Sequence, residues 1–321
     1  MIEAAKALLL LGAAALWLSV VLFGRRRISE NAAAVLSSGW LFTSFAGLGA
    51  TGVLPGTVSD AATPSLGGVP VTLLLTVAAA AGPLVVYAGQ RLHWAARSLI
   101  AWVVSFGLAA LYLESASDMD AKLGLLLLLV VTAPAHALAA WTAEDSHVGA
   151  RSVLQGLMWT GLLLWVFPSI ALVAEDRDWS FFLARTPREH LLWLAPLAAP
   201  AALIIAALWQ FAREGGGTGF PYDPPKRLVC QGIYAHLSNP MQLGIVLLLG
   251  WWGVVLQSPV VTVSAPVAIL LFIAFSDVCS GVSNVAISDP RWQAYKRNVP
   301  AWWPRTSPWR APQAETPTGP A

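Results

Sequence analysis

The side chains able to do chemistry gather in one stretch of the chain. Lys226-Arg227-Leu228-Val229-Cys230-Gln231-Gly232-Ile233-Tyr234-Ala235-His236-Leu237-Ser238-Asn239-Pro240-Met241-Gln242-Leu243-Gly244 brings Tyr, His, Ser, Asn and Gln together directly before an apolar run. Its Asn-Pro step suits a helix start, with Asn239 as N-cap and Pro240 at the first helical position, where a missing N–H costs nothing. The amides that open such a helix can hold an anionic group such as a carboxylate. His236 is the nearest candidate for a general base. A second cluster follows at Asp289-Pro290-Arg291-Trp292 and continues through Tyr295, Trp302, Trp303 and Arg305.

Other candidates are weaker on spacing. His93, His136 and His147 come one to a helix or loop, a poor pattern for a haem held between two histidines. Cys230 and Cys279 stand far apart without CxxC or Cys/His spacing, so neither a disulfide framework nor a metal site is expected. Gly215-Gly216-Gly217-Thr218-Gly219 lacks the Lys-Ser/Thr of a phosphate loop and reads as a linker. Asp277 falls near the end of a span, where an ionisable side chain is a functional candidate and equally a group already at the water interface.

The elements that must position these residues are membrane helices. Of 321 residues, 57% are hydrophobic and only 11% charged, against roughly 25% charged in an ordinary soluble domain. A net charge of +2 gives no reason to expect nucleic acid as a partner. Nine stretches approach the ~20 apolar residues that a span needs: 4–24, 33–54, 70–89, 98–115, 122–141, 152–174, 190–212, 240–257 and 260–277. The first ends in Arg25-Arg26-Arg27 and reads as a span with a positive stop rather than a leader. The last two are short and joined near Pro259 and Pro266, as in a tight hairpin or a partly re-entrant pair.

Loop charge gives a direction. With the N-terminus outside, fourteen of the nineteen Lys/Arg residues fall on inner segments, and the C-terminus is cytoplasmic. The expected architecture is therefore an all-α, polytopic helical bundle of about nine spans, resident in the cell or plasma membrane. Texture divides it into a six-span bundle over 1–184, a module over 185–310 that holds the polar motifs, and a disordered tail over 311–321. The N-terminal bundle carries no motif and offers a surface for a protein partner.

The polar stretch resembles the isoprenylcysteine carboxyl methyltransferase and phospholipid methyltransferase superfamily of integral membrane enzymes. That family carries Gly-x-Tyr-x-x-x-Arg-His/Asn-Pro-x-Tyr/Gln-x-Gly at the start of a span and Tyr-x-x-Tyr-x-x-x-Val-Pro-x-x-x-Pro near the C-terminus. Here the first part reads Gly232, Tyr234, Asn239, Pro240, Gln242 and Gly244, and the last reads Trp292, Tyr295, Val299, Pro300, Pro304 and Arg305. The resemblance covers roughly residues 190–310. Ser238 replaces the motif's Arg, Ser288-Asp289 replaces a Phe-Gly pair, and no Glu stands at the family's acidic position.

The resemblance implies S-adenosylmethionine as methyl donor and a lipidic or prenyl-like acceptor that arrives from the bilayer. It implies that Gly232, Tyr234, His236, Asn239, Pro240 and Gln242 line the donor pocket and that Tyr295 and Arg305 close it, with His236 and Asn239 as the catalytic pair. A carboxylate acceptor would need no base, whereas an amine or phenol would call on His236. The replaced Arg and absent Glu keep a second expectation open, a non-catalytic membrane scaffold or partner-binding subunit with the same fold. A nicotinamide-dependent membrane reductase is a third, from likeness of architecture alone. Asn239 and Pro240 also fit plain helix capping, and the aromatic and basic residues of 292–305 fit an interfacial anchor.

Overall fold

A computed structural model describes residues 28–52, 54, 64–112, 121–219, 225–280 and 291–310. The expected span 4–24, the 311–321 tail and Asp289 lie outside the described residues, as do the side chains of Asp277 and Cys279. The described chain is helical except for loops and one two-stranded ribbon, β1 (Ser65–Leu66) antiparallel to β2 (Val69–Pro70). It forms two compact units, Met1–Arg177 and Asp178–Ala321.

The first unit contains α1 (Ile28–Ala50), α2 (Val71–Ala88), α3 (Trp94–Tyr112), α4 (Lys122–Ala143) and α5 (Val148–Ala174). Leu41, Phe45, Leu73, Val77, Leu127 and Val131 form the centre of its core. Three of its helices widen into a π-helical turn, at Ala80–Leu84, Leu127–Thr132 and Leu162–Val166. Proline explains the placement. Pro83 lies inside the first turn, and Pro134 and Pro168 follow the other two. A proline inside a helix removes the hydrogen bond to the carbonyl four residues back and crowds it.

Carbonyls in and beside these turns are used between helices. Val130, four residues before Pro134, accepts from the Trp40 indole at 2.9 Å. Ala81 accepts from Nε2 of His136, which is fully buried, at 2.9 Å, and the Ser38 hydroxyl reaches Ala78 O at 3.1 Å. In apolar surroundings such bonds hold helices together where the hydrophobic effect gives little preference.

The second unit contains the short α6 (Ser180–Leu183), the long α7 (Pro187–Gly215), α8 (Pro240–Leu256), α9 (Pro259–Ser280) and α10 (Arg291–Asn298). Helix α7 begins three residues before the apolar run at 190 because Thr186 and Glu189 form a capping box. The Thr186 Oγ1 accepts from the Glu189 N–H at 3.3 Å, and the Glu189 carboxylate accepts from the Thr186 N–H at 2.8 Å.

Helices α8 and α9 form the tight hairpin. Gln257 turns left-handed at φ 52°, and Ser258 Oγ then caps α9 by accepting from the Val261 N–H. Gly253 lets the two helices touch, since a Cβ there would stand 2.4 Å from the Thr262 nitrogen. Gly244 does the same against α7, with Ile204 and the Pro200 carbonyl at 2.6 and 3.0 Å from a built Cβ.

Six described helices are long and apolar enough to cross a membrane: α1 to α5 and α7. Helix α8 has 17 residues, and the apolar part of α9 described in full runs over Pro259–Leu271.

Candidate functional site

The two halves of the motif, nearly fifty residues apart, lie against each other at one end of the second unit. At the end of α7 the chain turns through a left-handed Gly216 at φ 66° and returns, with the Lys226 and Arg227 N–H groups both donating to the Gly215 carbonyl. The segment 226–239 then crosses that end, with a 3-10 turn at Gly232–Ala235, before α8 begins.

The C-terminal segment straps this crossing down. The Ser238 N–H donates to Pro300 O at 2.9 Å, the Arg305 N–H to His236 O at 3.0 Å, and the Trp309 N–H to Ala235 O at 2.8 Å. The Tyr295 hydroxyl donates to the Tyr234 carbonyl at 2.8 Å. Beneath these bonds Tyr295, Val299 and Trp309 are buried with Leu228, Cys230 and Trp292 packed around them. The Trp309 ring meets Tyr295 edge-on at 5.4 Å.

Each expected site residue has a definite place. Gly232 has φ 54°, a left-handed backbone that disfavours any side chain, and a Cβ there would lie 2.8 Å from Gln210 Oε1. Tyr234 is 3% exposed, and its ring packs 4.7 Å from Phe211 among Val229, Met241 and Ala207. Its hydroxyl has no hydrogen-bond partner among the described residues. Burial and the neighbouring Tyr295 push its pKa well above the usual tyrosine value.

His236 donates from Nδ1 to the Arg305 carbonyl at 2.9 Å. A carbonyl can only accept, so in the neutral ring Nδ1 carries the proton and Nε2 is left as the basic nitrogen. Asn239 occupies the N-cap position and Pro240 the first helical position, but the Asn239 side chain makes no capping bond. Its backbone, at φ −124° and ψ 53°, departs from the extended geometry that points a side-chain oxygen at the N2 and N3 amides. The cap function expected of it is absent, and its amide is uncommitted by the helix. Gln242 is half-buried in the first turn of α8.

Tyr295 and Arg305 reach the segment through its main chain. Tyr295 is 2% exposed with its hydroxyl engaged, and burial, with Cys230 close by, pushes that phenol up as well. The Arg305 guanidinium donates to Asn298 O at 3.0 Å within the strap. The sequence alone did not single out Trp309 or Gln210, and Ser238 figured only as a replaced arginine. In the structure Trp309 and Ser238 hold the strap, and Gln210 backs Gly232. The one sequence signal was the recurrence of Trp and Pro up to Pro308-Trp309.

Two sets of donors are left over nearby, the Met241 and Gln242 amides and the Asn239 amide group at the start of α8, and the buried Tyr234 hydroxyl among apolar side chains. Among the described residues, no group of three or more His, Cys, Asp or Glu is placed to bind a metal ion. No protein family, curated protein or solved structure matches the chain.

Proposed function

We propose that the protein is a membrane methyltransferase that uses S-adenosylmethionine and acts on a lipidic or prenyl-like acceptor at the cytoplasmic face. The observation that supports this reading is the docking of 292–309 onto 228–238. It joins the two halves of the sequence resemblance, through Tyr295 on Tyr234 and the Arg305–His236 main-chain pair, into one folded end. The reading carries with it the nine-span topology with the N-terminus outside, residence in the cell membrane, and a partner surface on the N-terminal bundle.

The donor, when bound, supplies an activated methyl on a sulfonium. The chain's own task is to hold and align it and to exclude water. The α8 amides and Asn239 suit its carboxylate, the Tyr234 hydroxyl suits a polar oxygen, and the strap covers the crossing segment. His236 Nε2 is the group able to accept a proton.

Asn239→Ala is expected to abolish donor binding measured by calorimetry in detergent, with the fold intact by circular dichroism. Unchanged affinity would count against the assignment. One observation favours a second reading, a non-catalytic scaffold. Tyr295, His236 and the Arg305 guanidinium already bind main-chain carbonyls of the protein itself. No affinity of the wild-type protein for either S-adenosylmethionine or its demethylated product would select that reading.

A further inference from the structure

The motif-bearing end of the second unit has a lopsided charge. Arg213, Lys226, Arg227, Arg291, Lys296, Arg297, Arg305 and Arg310 all lie on segments that meet there, against two carboxylate residues in the described parts of those segments, Glu214 at the end of α7 and Asp277 near the end of α9. Glu214 itself accepts from the Gln210 amide at 2.6 Å. The strap 291–310 is the extreme case, with five Lys/Arg and no Asp or Glu.

The same strap displays an indole to solvent. Trp303 is 82% exposed, the highest value among the large exposed hydrophobic side chains. It is not on a loose loop. The bonds of Ser238 to Pro300 and of Arg305 to His236 pin the chain on both sides of it, and Pro304 stiffens the turn. A rigid scaffold that presents tryptophan beside cations matches the interfacial layer of a bilayer, where the indole sits at headgroup depth and lysine and arginine meet phosphate.

We propose that the strap 291–310 binds the headgroups of acidic phospholipids, with Trp303 inserted at the interface and Arg297 and Arg310 on lipid phosphates. An acidic leaflet thereby clamps the strap onto 235–238. The lipid is chosen over an acidic protein because the chain has six helices of membrane-spanning length and composition, and the indole and cations occur together on the strap. The consequence is that the motif segment is ordered by the membrane's charge, whatever reaction it serves. Two basic side chains near an acidic leaflet together shift the strap equilibrium roughly tenfold or more.

The amides that hold the strap report on it directly. Full-length protein would be placed in nanodiscs of phosphatidylcholine alone, or of phosphatidylcholine with roughly one-third phosphatidylglycerol, and hydrogen exchange followed at the Ser238, Arg305 and Trp309 amides. Exchange is expected to slow by about tenfold in the acidic discs, and high salt is expected to reverse the difference. Arg297→Gln with Arg310→Gln should remove most of the lipid effect, and Trp303→Ser should reduce it. All three positions are exposed, so these variants leave the core unchanged. Equal exchange in both lipids, or a lipid effect untouched by the double substitution, would overturn the proposal.

Discussion

The two units differ in where they bury polar groups. In the first, polar side chains are placed between helices: His136 and Arg151 are fully buried, and Ser38 and Trp40 bond main-chain carbonyls on other helices. In the second, the polar groups collect at the ends, and the middle of α7 is nearly bare. Only 11% of the most apolar stretch of α7 is buried within the protein, against 61% for α2. A buried polar group in apolar surroundings is costly unless partnered. The first unit therefore spends its polar side chains on joining helices. The second unit has interhelical bonds of this kind at Trp251, which donates to Trp193 O at 2.8 Å, and at Arg185, which donates to Val255 O at 2.7 Å, and both units add close glycine contacts, Gly82 on Ser38 in the first and Gly253 on Thr262 in the second.

That contrast can be broken most severely at the glycines. Gly253→Val would drive a side chain into the Thr262 main chain, and overpacking of this kind costs about 3 kcal/mol. Thermal unfolding in detergent should show the second unit collapsing early, while the melting of a separately probed α2 site is unchanged. A single cooperative shift of both would mean that the units are not independent.

The corresponding test in the first unit is His136→Ala, which strands the Ala81 carbonyl in the bundle. A buried acceptor left unmade costs about 2 kcal/mol. The lower denaturation midpoint should be accompanied by normal exchange at the strap amides. Strap exchange that accelerates with it would blur the distinction between interior glue and end site.

The smallest effect concerns Tyr295. Tyr295→Phe removes one buried hydrogen bond to Tyr234 O, worth about 1 kcal/mol, and should speed exchange over 228–238 without unfolding either unit. The same variant tests a pH dependence. Burial raises the Tyr295 phenol above its ordinary value of 10.0, so below pH 10 it is neutral in both folded and unfolded chains and its contribution is fully present. Above pH 10 the unfolded chain ionises first, and stability falls as pH rises. Tyr295→Phe should flatten that alkaline decline, and an identical slope would refute the role of this phenol.

Much of the helical layout was legible because span length follows from bilayer thickness. The runs at 70–89 and 122–141 correspond to α2 and α4 within a few residues. The run at 190–212 lies inside α7, whose start three residues earlier is set by a capping box and not by hydropathy. The π turns could have been suspected from Pro83, Pro134 and Pro168. The donors that repair them could not, since Trp40 lies ninety residues from Val130. At the candidate site the residues could be named in advance, yet their bonding could not. Asn239 stands at the cap position without capping, and Tyr295 binds a main-chain carbonyl.

The sequence by itself determined that these helices are apolar along the length of a span, and that chemically capable side chains concentrate between Lys226 and Arg305. Both are properties of composition and local order, which need no knowledge of neighbours. Only the tertiary structure decided which of those side chains are already engaged. Whether the Tyr234 hydroxyl lacks a partner while that of Tyr295 has one depends on where a segment sixty residues away comes to rest. Hydrogen bonding is directional and short in range, so it is settled by packing rather than by pattern.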